Sequence, residues 1–151
     1  MATKKVKTYI KLKNSSSQEY DSLRAWVIPS LMLTLKNNRH REYPQKIFEI
    51  GRVFHNEGEN TRVAVLLSDI NAGFTEVKQI LDALEMALNV KFELKETDFS
   101  SFITGRVAQV RCKGKDVAYI GEINPKCLEN FELEMPVAAL ELDLTELSKV
   151  M

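Results

Sequence analysis

An α+β domain built on a largely antiparallel sheet is what the patterning of this chain predicts, and three observations carry it. After residue 90, the stretches "VKFELKE", "RVAQVRC", "DVAYIGEI" and "VAALELDL" alternate apolar and polar residues with the period of two that half-buried strands require. One stretch, "GFTEVKQILDALEMALNV", has the helical period instead. Phe74, Val77, Ile80, Leu81, Leu84 and Leu88 share one side, with Glu76, Lys78, Gln79, Asp82 and Glu85 on the other, so it reads as a surface helix packed on a sheet. No repeat, linker or low-complexity tract divides the 151 residues, so 1–151 reads as one domain, long enough to bury roughly 68–70% of its unfolded surface.

Taken in order, "MATKKVKTYIKLKNSSSQ" holds five lysines and no acid. It has no apolar stretch and no arginine, so it does not read as a targeting peptide. Val6, Thr8, Ile10 and Leu12 alternate with Lys5, Lys7, Tyr9, Lys11 and Lys13, the pattern of an edge strand with a lysine-lined wet face. The alternative use of Lys5, Lys7, Lys11 and Lys13 is contact with phosphates. In "NSSSQEYDSLRAWVIPSLMLTLKNN", Ser16 and Glu19 have capping-box spacing and Pro29 belongs in a first turn. That predicts a helical region in two pieces, bent at Ile28–Pro29, the longer piece running from about Pro29 to Asn37. Leu23, Trp26, Val27, Ile28, Leu31, Met32, Leu33 and Leu35 surround it with more apolar surface than one core-facing stripe needs. The region is either deep in the core or covered by a partner, and Leu23, Trp26, Val27, Leu31 and Leu35 are the candidate interface residues.

The loop "NNRHREYPQK" holds Arg39, His40 and Arg41, which a helix C-terminus favours on electrostatic grounds; RNA contact by Arg39 and Arg41 is the alternative. "KIFEIGRVF" and "TRVAVLLSDI" flank the turn "HNEGEN" as a hairpin with Gly58 at the turn. Along the first strand, Phe48, Ile50, Arg52 and Phe54 point one way and Ile47, Glu49, Gly51 and Val53 the other. "RCKGKD" is a second tight hairpin, on Gly114, and "NPKCLENF" a short helix begun by Pro125.

Composition excludes several classes. Lysine plus arginine and aspartate plus glutamate number 21 each, so the net charge of +0 supplies no global field toward nucleic acid, a membrane or an acidic substrate. Cys112 and Cys127 suggest neither a disulfide framework nor a metal knuckle, and a reducing, cytoplasmic setting fits them. His40 and His55 lack Cys, Asp or Glu at ligand spacing, so no metal site is expected. No nucleophile elbow, phosphate loop or dinucleotide fingerprint occurs, and no cofactor is implied. Glu141 and Asp143 sit two apart on one strand with Leu140, Leu142 and Leu144 opposite, and read as the wet face of an edge or half-covered strand.

Five blocks at matching separations, "NSSSQEYDSLRAWVIPSLMLTLKNN", "KIFEIGRVF", "GFTEVKQILDALEMAL", "SFITGRVAQV" and "YIGEINPKCLENFELEMPVAALELDLTEL", resemble the C-terminal, synthetase-like region of phenylalanyl-tRNA synthetase beta subunits of archaeal and eukaryotic type. The resemblance implies a class II aminoacyl-tRNA synthetase fold, an antiparallel sheet flanked by helices. It also implies a module without catalytic residues, supporting tRNA aminoacylation by a catalytic alpha subunit. The partners would be that subunit or a second copy, with tRNA reached through the full complex and no membrane. Class II catalysis holds its nucleotide with an arginine followed two residues later by Glu in a hairpin, and with a second arginine in a "GxGxER" helix start. Here Arg52 is followed by Val53 and Phe54, and "AALELDLTELSKV" contains neither glycine nor arginine. Glu49 and Arg52 are then expected in structural or inter-subunit ion pairs. Where the family has Asn-Pro and Glu-Ile-His-Pro, this chain has Asn14-Ser15 and Glu122-Ile123-Asn124-Pro125. The family's beta subunit is several times longer, so the chain reads as a fragment or a free-standing paralogue. The alternative function is a regulatory or RNA-binding paralogue without ligase activity.

Overall fold

The computed structural model describes residues 10–11 and 22–151. β1 (Ile10–Lys11) and β2 (Ser22–Leu23) pair with each other. Then follow α1 (Ile28–Asn37), β3 (Gln45–His55), β4 (Gly58–Ser68), α2 (Phe74–Leu88), β5 (Glu93–Glu96), β6 (Phe102–Cys112), β7 (Lys115–Ile123), α3 (Pro125–Asn130), β8 (Val137–Asp143) and α4 (Leu144–Ser148). The main sheet runs β3-β4-β8-β7-β6-β5 and is antiparallel at every junction. The expected α+β architecture is therefore present, with β8 at its centre and β3 and β5 at its edges.

The turns are where the glycines put them. Gly58, at φ 141°, closes β3 onto β4 with His55 opposite it, and Gly114, at φ 79°, follows Lys113 in the β6–β7 hairpin. Asn124 accepts the Lys126 N–H at 3.0 Å and Pro125 takes the first position of α3. α2 buries Val77 and Leu81 on the face that the helical period marked out. α4, for which no expectation was formed, is a single capped turn: Asp143 accepts the Glu146 N–H at 2.9 Å.

Two cores lie on opposite faces of the sheet. On the first face, α1 and α3 cover Val53, Ala64, Leu66, Val107, Ile123, Val137 and Ala139. On the second, α2 and α4 cover Ala108, Val110, Ala118, Ile120, Ala138, Leu140 and Leu142. Full burial of one such large aliphatic side chain stabilises by about 1.5–3 kcal/mol, so both faces matter to folding.

The expected two-piece helix is corrected in its first half. Among the described residues of this region only Ile28–Asn37 is helical, with Pro29 in its first turn, and Leu23 belongs to β2. The chain is extended there because its main-chain groups are used elsewhere: Arg24 C=O accepts the Phe54 N–H of β3 at 2.9 Å. The Ser16–Glu19 capping box lies outside the described residues.

Candidate functional site

The sheet's first face carries a polar cluster where α1 begins. Alternation along β8 turns Glu141 and Asp143 toward α1, while Leu140 and Leu142 face the other core. Both carboxylates are buried, Glu141 at 2% exposure, which overturns the reading of them as a wet face. The reason is that β8 is the central strand and that three other segments satisfy its carboxylates. Glu141 accepts the Val27 N–H at 2.9 and 3.1 Å and the Ile28 N–H at 3.0 Å, so it caps the start of α1 from across the sheet. Arg62 of β4 donates to Glu141 from Nη1 at 3.3 Å and to Asp143 from Nε at 3.1 Å. Asn60 donates to Asp143 at 2.7 Å and meets His55 Nε2 at 3.2 Å. Burial pushes the Glu141 carboxyl above the usual carboxylate range, against the pull of the Val27 and Ile28 amides and of Arg62.

Aromatic rings close the cluster from above. Trp26 lies over the Arg62 guanidinium at 4.7 Å and packs on Phe99 at 5.7 Å and Tyr119 at 5.8 Å. What remains is a cavity of about 70 Å³ lined by Trp26, Arg62, Gln109, Tyr119, Glu141 and Asp143 among others. Small-molecule sites usually span about 300–1,000 Å³, so no nucleotide fits here. Among the described residues no buried side-chain polar atom lacks a hydrogen-bond partner, so nothing is left aimed at a ligand. The one arginine faces two carboxylates. Its charge is spent within the chain, and a triphosphate would meet net negative charge.

"FEIGRVF" divides between the two faces as the alternation predicted. Glu49 turns inward and pairs with Arg24 at 2.6 Å. Gly51 makes that pair possible, because a Cβ at this position would collide with the Arg24 guanidinium lying over it. Arg52 turns outward with Glu59 at 3.5 Å and 68% of its side chain exposed, on the opposite face from the buried cluster. Of the structural and inter-subunit ion pairs expected for these two residues, the structure shows intrachain ones.

The candidate interface is corrected by burial. Val27, Leu31 and Leu35 are 0%, 4% and 2% exposed and belong to the chain's own first core, so they offer a partner no surface. Leu23 and Trp26 are half-buried. The apolar excess of α1 goes into the sheet, because Met32 and Leu35 reach under β3 and β4 while Leu33 alone of the helix's large apolar residues is exposed. Among the candidate RNA contacts, Arg39 is held by Glu132 at 2.8 Å beside Lys36, and the two cations keep that carboxyl below its usual range. Arg41 is exposed, Lys11 lies in β1, and Lys5, Lys7 and Lys13 fall outside the described residues. Sequence reasoning missed Arg62. Its one signal was a cation inside the otherwise apolar run "TRVAVLLS".

An antiparallel sheet with helices on both faces is the fold of a class II synthetase-like domain. A pyrrolysyl-tRNA synthetase from Desulfitobacterium hafniense has the same fold, with a TM-score of 0.69 at 21% identity over 82% of this chain and 48% of that one. The family model "Phenylalanyl tRNA synthetase beta chain CLM domain" matches residues 1–144, and the chain belongs to that family. It is 46% identical to the phenylalanine–tRNA ligase beta subunit of Thermococcus onnurineus over 145 residues, which is 91% of this chain and 25% of that subunit. The beta subunit of Pyrococcus abyssi is 44% identical, with 91% and 26% covered, and that of Methanopyrus kandleri 37%, with 91% and 25% covered. The chain thus spans about a quarter of the length of these relatives. The match shows the family and does not confirm the C-terminal position attached to the resemblance.

Proposed function

We propose that this chain is a non-catalytic assembly module of phenylalanine–tRNA ligase, which holds a catalytic alpha subunit in its working arrangement while that subunit aminoacylates tRNA in the cytoplasm. The observation that carries this is the filled face: Arg62, Glu141, Asp143 and Trp26 occupy the end of the sheet where a class II enzyme needs open space and unpaired cations. The beta-subunit relatives supply the partner, and no described helix is long and apolar enough to cross a membrane.

Phenylalanine-dependent ATP–pyrophosphate exchange tests it. The chain alone should give no exchange above a vector-only preparation, and exchange should appear only with the alpha subunit present; exchange by the lone chain would overturn the proposal. For tRNA the same reading expects weak binding by the chain alone, because its net charge is +0. If about four phosphates were contacted, affinity would fall on the order of a hundredfold between roughly 50 and 200 mM salt.

A further inference from the structure

The geometry points to the outer edge of β3 as the docking surface for that partner, and to what docks there: an extended strand presenting acidic, apolar, apolar and acidic side chains along one face. This rests on the assembly reading above. β3 is an edge strand of 11 residues, and its outward face reads Lys46, Phe48, Ile50, Arg52. Phe48 is 70% exposed and Ile50 61%, beside half-buried Val65 and Val63 of β4, which pair with them in register. α2 and α4 pack on this face chiefly over β4, β7 and β8, and leave β3 bare. The apolar surface continues past Lys46 into a groove of about 390 Å³ lined by Leu67, Ala72, Ile80 and Ala83, with Asp69 and Glu76 among its carboxylates. A contiguous apolar patch of this kind marks an interaction site.

The main chain is open as well. Phe54 N–H and Arg52 C=O point out of the sheet, where Arg24 takes both, through its C=O and its Nε, each at 2.9 Å. The period of two puts the N–H and C=O groups of Lys46, Phe48 and Ile50 on the same side, where nothing among the described residues pairs with them. Three residues of free ladder next to two apolar side chains are what strand addition uses.

Charge selects the occupant. A second copy pairing antiparallel with Phe48 opposite Ile50 would have its two-fold axis at Glu49, and would set Lys46 against Arg52 twice and Glu49 against itself. Registers centred on Phe48 or Ile50 instead set a basic side chain against an apolar one. Like charges directly opposite one another destabilise a strand pair. Arg52 is not neutralised by Glu59, since the pair is long and both side chains are more than half exposed. A strand with acids at the two outer positions satisfies both cations and covers both apolar residues.

The test is co-expression of this chain with the alpha subunit of the same source, reading affinity and, by light scattering, stoichiometry. Phe48→Glu with Ile50→Glu should weaken the alpha subunit complex at least about tenfold, and Lys46→Glu with Arg52→Glu should weaken it and lessen its salt sensitivity. Leu94→Glu on β5 should leave it unchanged, and unaltered circular dichroism should show that all variants fold. If the unsubstituted chain does not bind the alpha subunit, the assembly reading itself falls. If it binds and the Phe48 and Ile50 substitutions change nothing, only the docking surface is overturned. A homodimer that these substitutions dissociate would overturn the acidic-strand chemistry in favour of a second copy.

Discussion

β8 at the centre of the sheet and β3 at its edge have opposite distributions of polarity. β8 is buried at all seven positions and two of them are carboxylates; β3 places a phenylalanine and an isoleucine in water. Burying a charge is costly unless it is paired and hydrogen-bonded, so Glu141 and Asp143 are tolerated only because Arg62, Asn60 and the start of α1 come to them. Nothing within the described chain comes to Phe48 and Ile50. The contrast with β5 sharpens this: the other edge is four residues long and carries Glu93, Lys95 and Glu96, which discourage pairing. Among the described residues the polar cluster on β8 is satisfied and the edge at Phe48 and Ile50 is not, which is why the proposed docking surface lies at that edge.

The contrast can be broken at its buried end with the largest effect. Arg62→Ala strands two buried carboxylates, and the expected loss is about 3–5 kcal/mol in denaturant unfolding. Leu31→Glu should unfold the chain, since Leu31 is 4% exposed within the first core. Leu35→Ala should cost about 2–5 kcal/mol by leaving a cavity. At the open end, Phe48→Glu and Ile50→Glu should each change the stability of the lone chain by no more than about 0.5 kcal/mol. A loss of several kcal/mol there would mean that β3 is covered by its own chain.

The smallest expected effect is in pH dependence. Lys115 and Lys149 hold the Glu146 carboxyl below its ordinary value of 4.5, down to about 2. Because the folded value is depressed, this contribution is present above about pH 4.5 and is lost as pH falls toward about 2. Glu146→Gln should flatten that part of an acid titration, by less than about 1 kcal/mol given solvent screening.

How much was legible in the sequence follows from how local each signal is. The hairpins, α2, α3 and the two-face division of "FEIGRVF" depend on neighbours a few residues away, and the alternation and turn residues identified them. The state of Glu141 depends on Val27 and Arg62, which lie 114 and 79 residues away. Period two places both carboxylates on one face and cannot say whether that face is wet or sealed. The same limit produced the interface reading of α1: apolar density is equal evidence for a core and for a partner, and only the position of Val53, Leu66 and Val137 beneath the helix decides. The extended run before α1 escaped because Arg24 is drawn out by β3, against the local capping signal. Phe48 and Ile50 were assigned to the correct face, but the burial of that face depended on where two later helices come to lie.

Amide hydrogen exchange, resolved by residue, tests the closed site and the open edge together. In the lone chain the Val27 and Ile28 amides, held by Glu141, should exchange slowly, as should Glu49 and Gly51, whose N–H groups face β4. Phe48 and Ile50, which alternate with them in sequence, should exchange fast and become slow when the alpha subunit is added. Slow exchange at Phe48 and Ile50 in the lone chain, unchanged by the alpha subunit, with fast exchange at Val27 and Ile28, would contradict the account.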